Sequence, residues 1–315
     1  MVSYPDIIAA RERIAGRVHR TPTLSAARIG ERAGVQLWLK CELLQKTGSF
    51  KVRGALNTIR QLSDAERSRG VVGVSAGNHA QALAWAARAV GTKCTVVMPN
   101  TAVQAKLDAA RGYGAEVVQQ EWGAGMFDKA RALASEHGYV FVHPFDDERV
   151  VAGQGTVGCE ILEDCADADV IVVPVGGGGL LAGIAIAAKH INPSVRVFGV
   201  EPVGAPALRR SLDAGVVTPI DAPATIADGL AAPMTTELPL SVAQRYVEDV
   251  VLVTDDEIVD AMRMLLSSAK LMAEPAGAAA VAALITGKIR VPANSRMVCV
   301  VSGGNVDVTR LKELL

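Results

Sequence analysis

Two features of this chain combine residue types and spacings that could do chemistry. In VIVVPVGGGGLLAGIAIAAKH, residues 170–190, six strand-forming residues lead into Gly176, Gly177, Gly178 and Gly179, and these open an apolar, Ala-rich helix. A helix start offers unpaired N–H groups with partial positive charge, and glycines let backbone close around an anion, so this loop is a candidate phosphate cradle. The second feature is Lys51, which follows Gln45-Lys46-Thr47-Gly48-Ser49. The pattern predicts a helix over 50–62 with Ser49 as its N-cap and Lys51 in its first turn. The helix dipole and the nearby cations Lys40, Lys46 and Arg53 disfavour an ammonium there. A neutral amine condenses with an aldehyde or takes up a proton.

Other chemistries compete for these residues. Gly177, Gly179 and Ala182 fit G-x-G-x-x-A, and Glu201 ends the following strand where a dinucleotide fold places its ribose-binding acid, so a nicotinamide enzyme is one reading. A Walker loop is excluded, because no Gly-Lys-Ser/Thr follows the glycines. Gly73-Val74-Ser75-Ala76-Gly77 matches the G-x-S-x-G nucleophile elbow, but a hydrolase needs a histidine late in the chain, and 125 residues follow His190 without one. The plainer reading is a turn in which Asn78 caps the next helix. No H-E-x-x-H or paired Cys/His spacing suggests zinc, and Asp146-Asp147 reads as solvated loop charge. The five histidines show no mutual spacing that demands a site and each reads as structural, with His79, at a helix start, the one to check. A Schiff-base lysine beside a phosphate loop that is not of Walker type points to pyridoxal phosphate. A non-catalytic ligand-binding module is the third class.

Composition limits the partners. The 315 residues, half of them hydrophobic, can bury a large core and suggest two compact domains. Lys plus Arg number 32 against 33 Asp plus Glu with no basic run, which argues against nucleic acid and anionic membranes and for small molecules. Cys41, Cys94, Cys159, Cys165 and Cys299 show no C-x-x-C spacing, and the N-terminus lacks a basic-then-apolar leader, so a cytoplasmic protein is expected. The uncharged run 170–188 is cut into strand and helix by Pro174 and the glycines, so no membrane span is expected.

These residues must be positioned by regular elements. An opening helix is expected over 3–16 and a strand over 35–41. From Val71, strand and helix alternate to 144, and a second unit begins near Val151. Segments up to Pro239 read mostly as loop; a strand near 247–254, helices from Asp255 and after Pro275, and a strand from Met297 close the chain. The alternation implies two three-layer α/β units with mainly parallel sheets.

Six segments carry a resemblance to a known family: KCELLQKTGSFKVRGA (40–55), SAGNHAQALAWAA (75–87), AGQGT (152–156), PVGGGGLLAGIA (174–185), TIADG (225–229) and VSGGNVD (301–307). Together and in this order, they resemble the fold-type II pyridoxal-phosphate enzymes, tryptophan synthase β-like, and within them the threonine/serine dehydratases and serine racemases. The resemblance implies a large cofactor-binding domain from 1–44 and 144–315 and a small domain inserted at 45–143. It also implies a homo-oligomer, dimer or tetramer, acting on an amino acid. Lys51 would carry the cofactor, Gly176 to Gly179 and Leu180 would hold its phosphate, and Phe50 would lie near the ring. Asn78 would bond the ring hydroxyl, Gly229 would line the pocket and Ser302 would face the pyridine nitrogen. Ser75, Ala76, Gly77, Asn78 and His79 would receive the substrate carboxylate.

The implied activity is β-elimination of L-threonine or L-serine to a 2-oxo acid and ammonia, with serine racemase or 3-hydroxyaspartate dehydratase as alternatives. Ala76 stands where racemases carry a second serine, so little racemisation is expected. The T-G-S-F-K-V-R-G sequence differs from the T-G-S-V-K-D-R type of cysteine synthases, which disfavours β-replacement. A divalent-metal set seen in some relatives would use Glu201, the Ala205 carbonyl and an acid at 207, but residue 207 is Ala, and no metal is expected. The chain ends 13 residues after Ser302, so no appended regulatory domain is expected.

Overall fold

A computed structural model describes residues 2–315 except Ala76, Val103 and Ala124. Among the described residues, ten strands form two sheets. They are β1 (Thr23–Ser25), β2 (Gln36–Cys41), β3 (Val71–Val74), β4 (Cys94–Pro99), β5 (Glu116–Gln120), β6 (Val140–Phe141), β7 (Val170–Pro174), β8 (Arg196–Pro202), β9 (Asp249–Val253) and β10 (Arg296–Val301). The six-stranded sheet runs β1-β2-β10-β7-β8-β9 and the four-stranded one β5-β4-β3-β6. Every pairing is parallel except β1 with β2.

The large sheet is covered on both faces, which is why its strands read as nearly continuous apolar runs. Period-two alternation sorts their side chains. Ile171, Val173, Val197 and Val298 face the helices Tyr4–Ile14, Glu148–Asp164 and Gly179–Ile191, whereas Val170, Val172, Phe198 and Cys299 face Asp255–Met264 and Pro275–Ile285. Each fully buried Val or Ile contributes roughly 1.5–3 kcal/mol. The last strand, β10, lies centrally, with Val298 between Trp38 of β2 and Ile171 of β7. Loops that are distant in sequence therefore leave the sheet side by side.

Several local expectations need correction. The helix carrying Lys51 spans Lys51–Ile59, and its N-cap is Phe50, in helical conformation without a side-chain cap bond. Ser49 instead forms an isolated bridge with Gly303, and its buried hydroxyl has no partner. The helix Asn78–Val90, expected to be capped by Asn78, is capped by Gly77, with Asn78 its first residue. The second unit, expected to begin near Val151, opens with a helix that starts at Glu148, where Asp147 accepts from the Arg149 N–H. Strand β1 and the helices Ala27–Ala33, Asp64–Arg69, Glu237–Tyr246 and Val308–Leu314 were not expected. Most are short and polar, so periodicity is weak there and tertiary contacts decide. Among the described residues, no helix is long and apolar enough to cross a membrane.

Candidate active site

The C-terminal ends of β10 and β7 and the start of the Lys51 helix converge. The loop before Lys51 runs against the loop after β10: Phe50 N–H donates to the Ser302 carbonyl (3.2 Å), and Gly304 N–H to the Gly48 carbonyl (2.9 Å). The half-buried Lys51 has its Nζ 2.9 Å from the Pro144 carbonyl and 5.1 Å from the Phe50 ring centre. No described carboxylate pairs with it. Burial pushes its pKa down from 10.5 to about 8. The neighbouring cations named from sequence do not cause this. Arg53 and Lys40 turn away into contacts with Glu42 and Glu160.

Phe145, next to Pro144, connects the lysine to the glycine loop. A Cβ on Gly177 would overlap the Phe145 ring, and one on Gly179 would lie 3.0 Å from the Phe145 side chain. Gly178 sits at φ +95°, and Thr235 donates to the Gly177 carbonyl (3.2 Å). The first bond into the helix is from Ala182 N–H to the Gly178 carbonyl, and the N–H groups of Gly176 to Leu181 have no partner among the described residues. This leaves an anion-ready helix start. Leu180 packs into the core beneath. A Cβ on Gly176 would lie 3.1 Å from the carbonyl of Gly229, and one on Gly229 2.9 Å from Ala276 Cβ. Buried Ser302 Oγ lies 3.5 Å from the Ala276 carbonyl.

On the opposite side, the Ser75 hydroxyl accepts from Gly77 N–H (3.0 Å), and the Lys106 stem passes Gly77 to pair with Asp228. Ala76 lies outside the described residues. Asn78 donates to Glu274 (2.6 Å) and accepts from Asn305 (2.7 Å). His79 is buried, with Nε2 3.2 Å from the Val142 carbonyl and Nδ1 unpartnered. A carbonyl only accepts, so Nε2 carries the proton and Nδ1 is a bare acceptor. Burial, and then the charge of Lys51, push its pKa down to about 3, so His79 is no acid at neutral pH.

Glu201 is away from this cluster. Its oxygens accept the Leu208 and Arg209 N–H groups (2.8 Å each) at a helix start, and burial pushes its pKa up to about 8. Ala205 is buried nearby, and no cluster of three metal-ligating side chains occurs among the described residues. A ribose-binding acid has to face a ligand, so this arrangement counts against the nicotinamide reading. Sequence reasoning missed Pro144, Phe145, Glu274 and Asn305. Only Asn305 carried a signal, its place in the VSGGNVD segment.

A family model described as "Pyridoxal-phosphate dependent enzyme" matches residues 14–303. The L-threonine ammonia-lyase of Thermotoga maritima is 43% identical over 319 residues, which cover 100% of this chain and 78% of that protein. The serine racemase of Dictyostelium discoideum is 42% identical over 321 residues, covering 100% and 98%. The structure of maize serine racemase superposes with a TM-score of 0.95 at 39% identity, covering 99% of this chain and 96% of that one. With the lysine, the glycine loop and the β10 loop converging as described, these matches mean that the chain belongs to the pyridoxal-phosphate dependent enzyme family, with the mainly parallel α/β architecture of fold type II.

Proposed function

We propose that the protein is a pyridoxal-phosphate ammonia-lyase that eliminates water from L-threonine, L-serine or both, giving a 2-oxo acid and ammonia. One observation carries this reading: Lys51, a half-buried amine, is linked through Pro144 and Phe145 to a helix start, and among the described residues the amine has no carboxylate partner and the first N–H groups no acceptor. The cofactor's groups find matching partners here. An aldehyde meets the amine, a phosphate the N–H groups of Gly176, Gly177, Gly178, Gly179 and Leu180, a ring hydroxyl Asn78, and a pyridine nitrogen Ser302. Phe50 and Gly229 would line the ring. We further infer that 45–143 form a small domain inserted into a large one, 1–44 with 144–315, in keeping with the two sheets. A reducing cytoplasm suits the five buried, unpaired cysteines, and a homo-oligomer is the expected assembly.

When bound, pyridoxal phosphate supplies an electron-withdrawing ring that takes up the electron pair left at Cα. The residues of the chain do the rest. The backbone at Ser75, Gly77, Asn78 and His79 holds the substrate carboxylate at a helix start. Lys51 Nζ, released when the substrate amine takes its place on the cofactor, would take the Cα proton, and the burial that pushes its pKa down to about 8 favours the neutral amine this needs. The electron pair then expels hydroxide from Cβ, and the resulting enamine hydrolyses to the 2-oxo acid and ammonia.

Returning a proton to the opposite face of Cα requires an acid there, and His79 cannot serve. Ala76 has no hydroxyl in place of the racemases' serine. Elimination is therefore favoured over racemisation. Assaying threonine, serine and 3-hydroxyaspartate for 2-oxo acid, with chiral analysis of unreacted substrate, tests this. Keto acid should form with little D-amino acid; abundant D-serine would overturn the reading.

The neutral Ser302 hydroxyl does not enforce protonation of the ring nitrogen, which keeps the ring a moderate electron sink and favours rapid loss of hydroxide. Ser302→Asp should slow elimination about tenfold or more and raise transamination. Cofactor-free Ser302→Asp should also melt lower, because a buried carboxylate would have no cationic partner. Unchanged partitioning between the two products would make Ser302 a turn residue only.

A further inference from the structure

Four groups form a hydrogen-bonded line that starts in the loop before Lys51. The Asn305 side-chain nitrogen donates to the Thr47 carbonyl (2.8 Å) and to Asn78 Oδ1 (2.7 Å), and Asn78 Nδ2 donates to Glu274 Oε1 (2.6 Å). A backbone carbonyl only accepts, so the Asn305 atom facing Thr47 is its nitrogen. Both of its N–H groups are then used. The Asn78 atom facing Asn305 must be oxygen, and Asn78 presents its nitrogen to Glu274. One N–H of Asn78 has no partner among the described residues.

The surrounding backbone leaves room for this line. A Cβ on Gly303 would overlap Glu274 Oε1, and one on Gly48, at φ +72°, would overlap the Asn305 amide. Glu274 is also a poor choice for stability. It is 4% exposed, and burial and the nearby charge of Asp228 push its pKa up to about 7 against the opposing Asn78 bond and Lys106. A buried carboxyl with one amide partner costs more than an apolar side chain would.

We propose that Glu274 and Asn305 are positioning residues that lock the Asn78 amide, so that the only group it can offer the cofactor ring is an N–H donor suited to an anionic oxygen. The inference rests on the reading that Asn78 meets the ring hydroxyl. Without the lock, the amide could turn its oxygen toward that hydroxyl and repel its anion.

The test is equilibrium titration of cofactor-free protein with pyridoxal phosphate, followed by absorbance, with melting temperatures as a check on folding. Glu274→Ala and Asn305→Ala should each weaken binding about tenfold and shift the visible band toward the form with a protonated ring hydroxyl. Glu274→Gln keeps an acceptor oxygen and should stay within about threefold of the parent. In an Asn78→Ala background, Glu274→Ala should add nothing further, because the pair acts through one amide. Additive losses in that background, or Glu274→Gln as harmful as Glu274→Ala, would overturn the lock while leaving Asn78 in its role. An Asn78→Ala protein with unchanged affinity and spectrum would overturn the Asn78 reading itself, and the lock with it.

Discussion

Lys51→Ala should leave the fold intact and lower elimination by about 10⁴-fold or more, the upper range for loss of a positioned base. Two other amines of the chain are already engaged. Lys40 is fully buried against Glu160, and Lys106 is paired with Asp228. Borohydride treatment of the parent protein with pyridoxal phosphate should fix the cofactor to Lys51, and the variant should capture none. Attachment elsewhere in the parent would remove Lys51 from the mechanism. Stability offers an independent readout. The folded-state pKa of Lys51 is lowered, so between pH 8 and 10.5 the unfolded chain binds more protons, and stability rises with pH across that window. Below pH 8 the cost of burying the charge is present in full. Cofactor-free Lys51→Met should therefore melt at or above the parent temperature at pH 7, and the difference should shrink as the pH rises toward 10. A variant that melts lower at pH 7 would mean that the ammonium is well solvated in the fold.

The strands and their parallel arrangement were legible because burial on both faces writes itself as Val and Ile runs separated by helical periods. The glycine loop was legible for a related reason: four glycines in succession reflect close approach by Phe145 and Pro239, together with one left-handed residue. The partners of these residues were not legible. Pro144 reaches Lys51 through a backbone carbonyl, which any residue type supplies. Glu274 and Asn78 meet across 196 positions, a separation that no local pattern encodes. Capping was misjudged at both Ser49 and Asn78 because tertiary contacts claimed those positions. Ser49 was drawn into the bridge with Gly303, and Asn78 into its bond with Glu274. The cause of the low Lys51 pKa was misjudged similarly. Sequence proximity to Arg53 and Lys40 suggested repulsion, but the helix turns Arg53 to another face, Lys40 projects from β2 onto Glu160, and desolvation alone acts.

Arg53 carries the largest expected effect on stability. Two residues beyond Lys51, its fully buried guanidinium bonds Glu42 through Nε and Nη2 (2.8 and 2.7 Å) and Glu160 through Nη1 and Nη2 (2.6 and 2.8 Å). Lys40 Nζ completes the cluster at 2.7 Å from Glu160, so two cations face two buried carboxylates. Burial disfavours the charged guanidinium, but Glu42 and Glu160 outweigh it and hold the proton more firmly than usual. Glu160 likewise stays below the ordinary carboxylate value because Arg53 and Lys40 outweigh burial. Arg53→Met would strand a buried negative charge and should cost about 3–5 kcal/mol, read from urea denaturation of the cofactor-free protein. Arg53→Lys should fall between the two, since one ammonium cannot serve both carboxylates in a forked geometry. Replacing Arg53, Glu42, Glu160 and Lys40 together by apolar residues of similar volume should recover most of that loss, because intact buried ion pairs add little net stability and no buried charge is left unpaired. If the quadruple variant is stable, its turnover reveals what the network is for. Lowered kcat with KM unchanged would show that the network aims the Lys51 helix, whereas parental turnover would show that packing alone is sufficient.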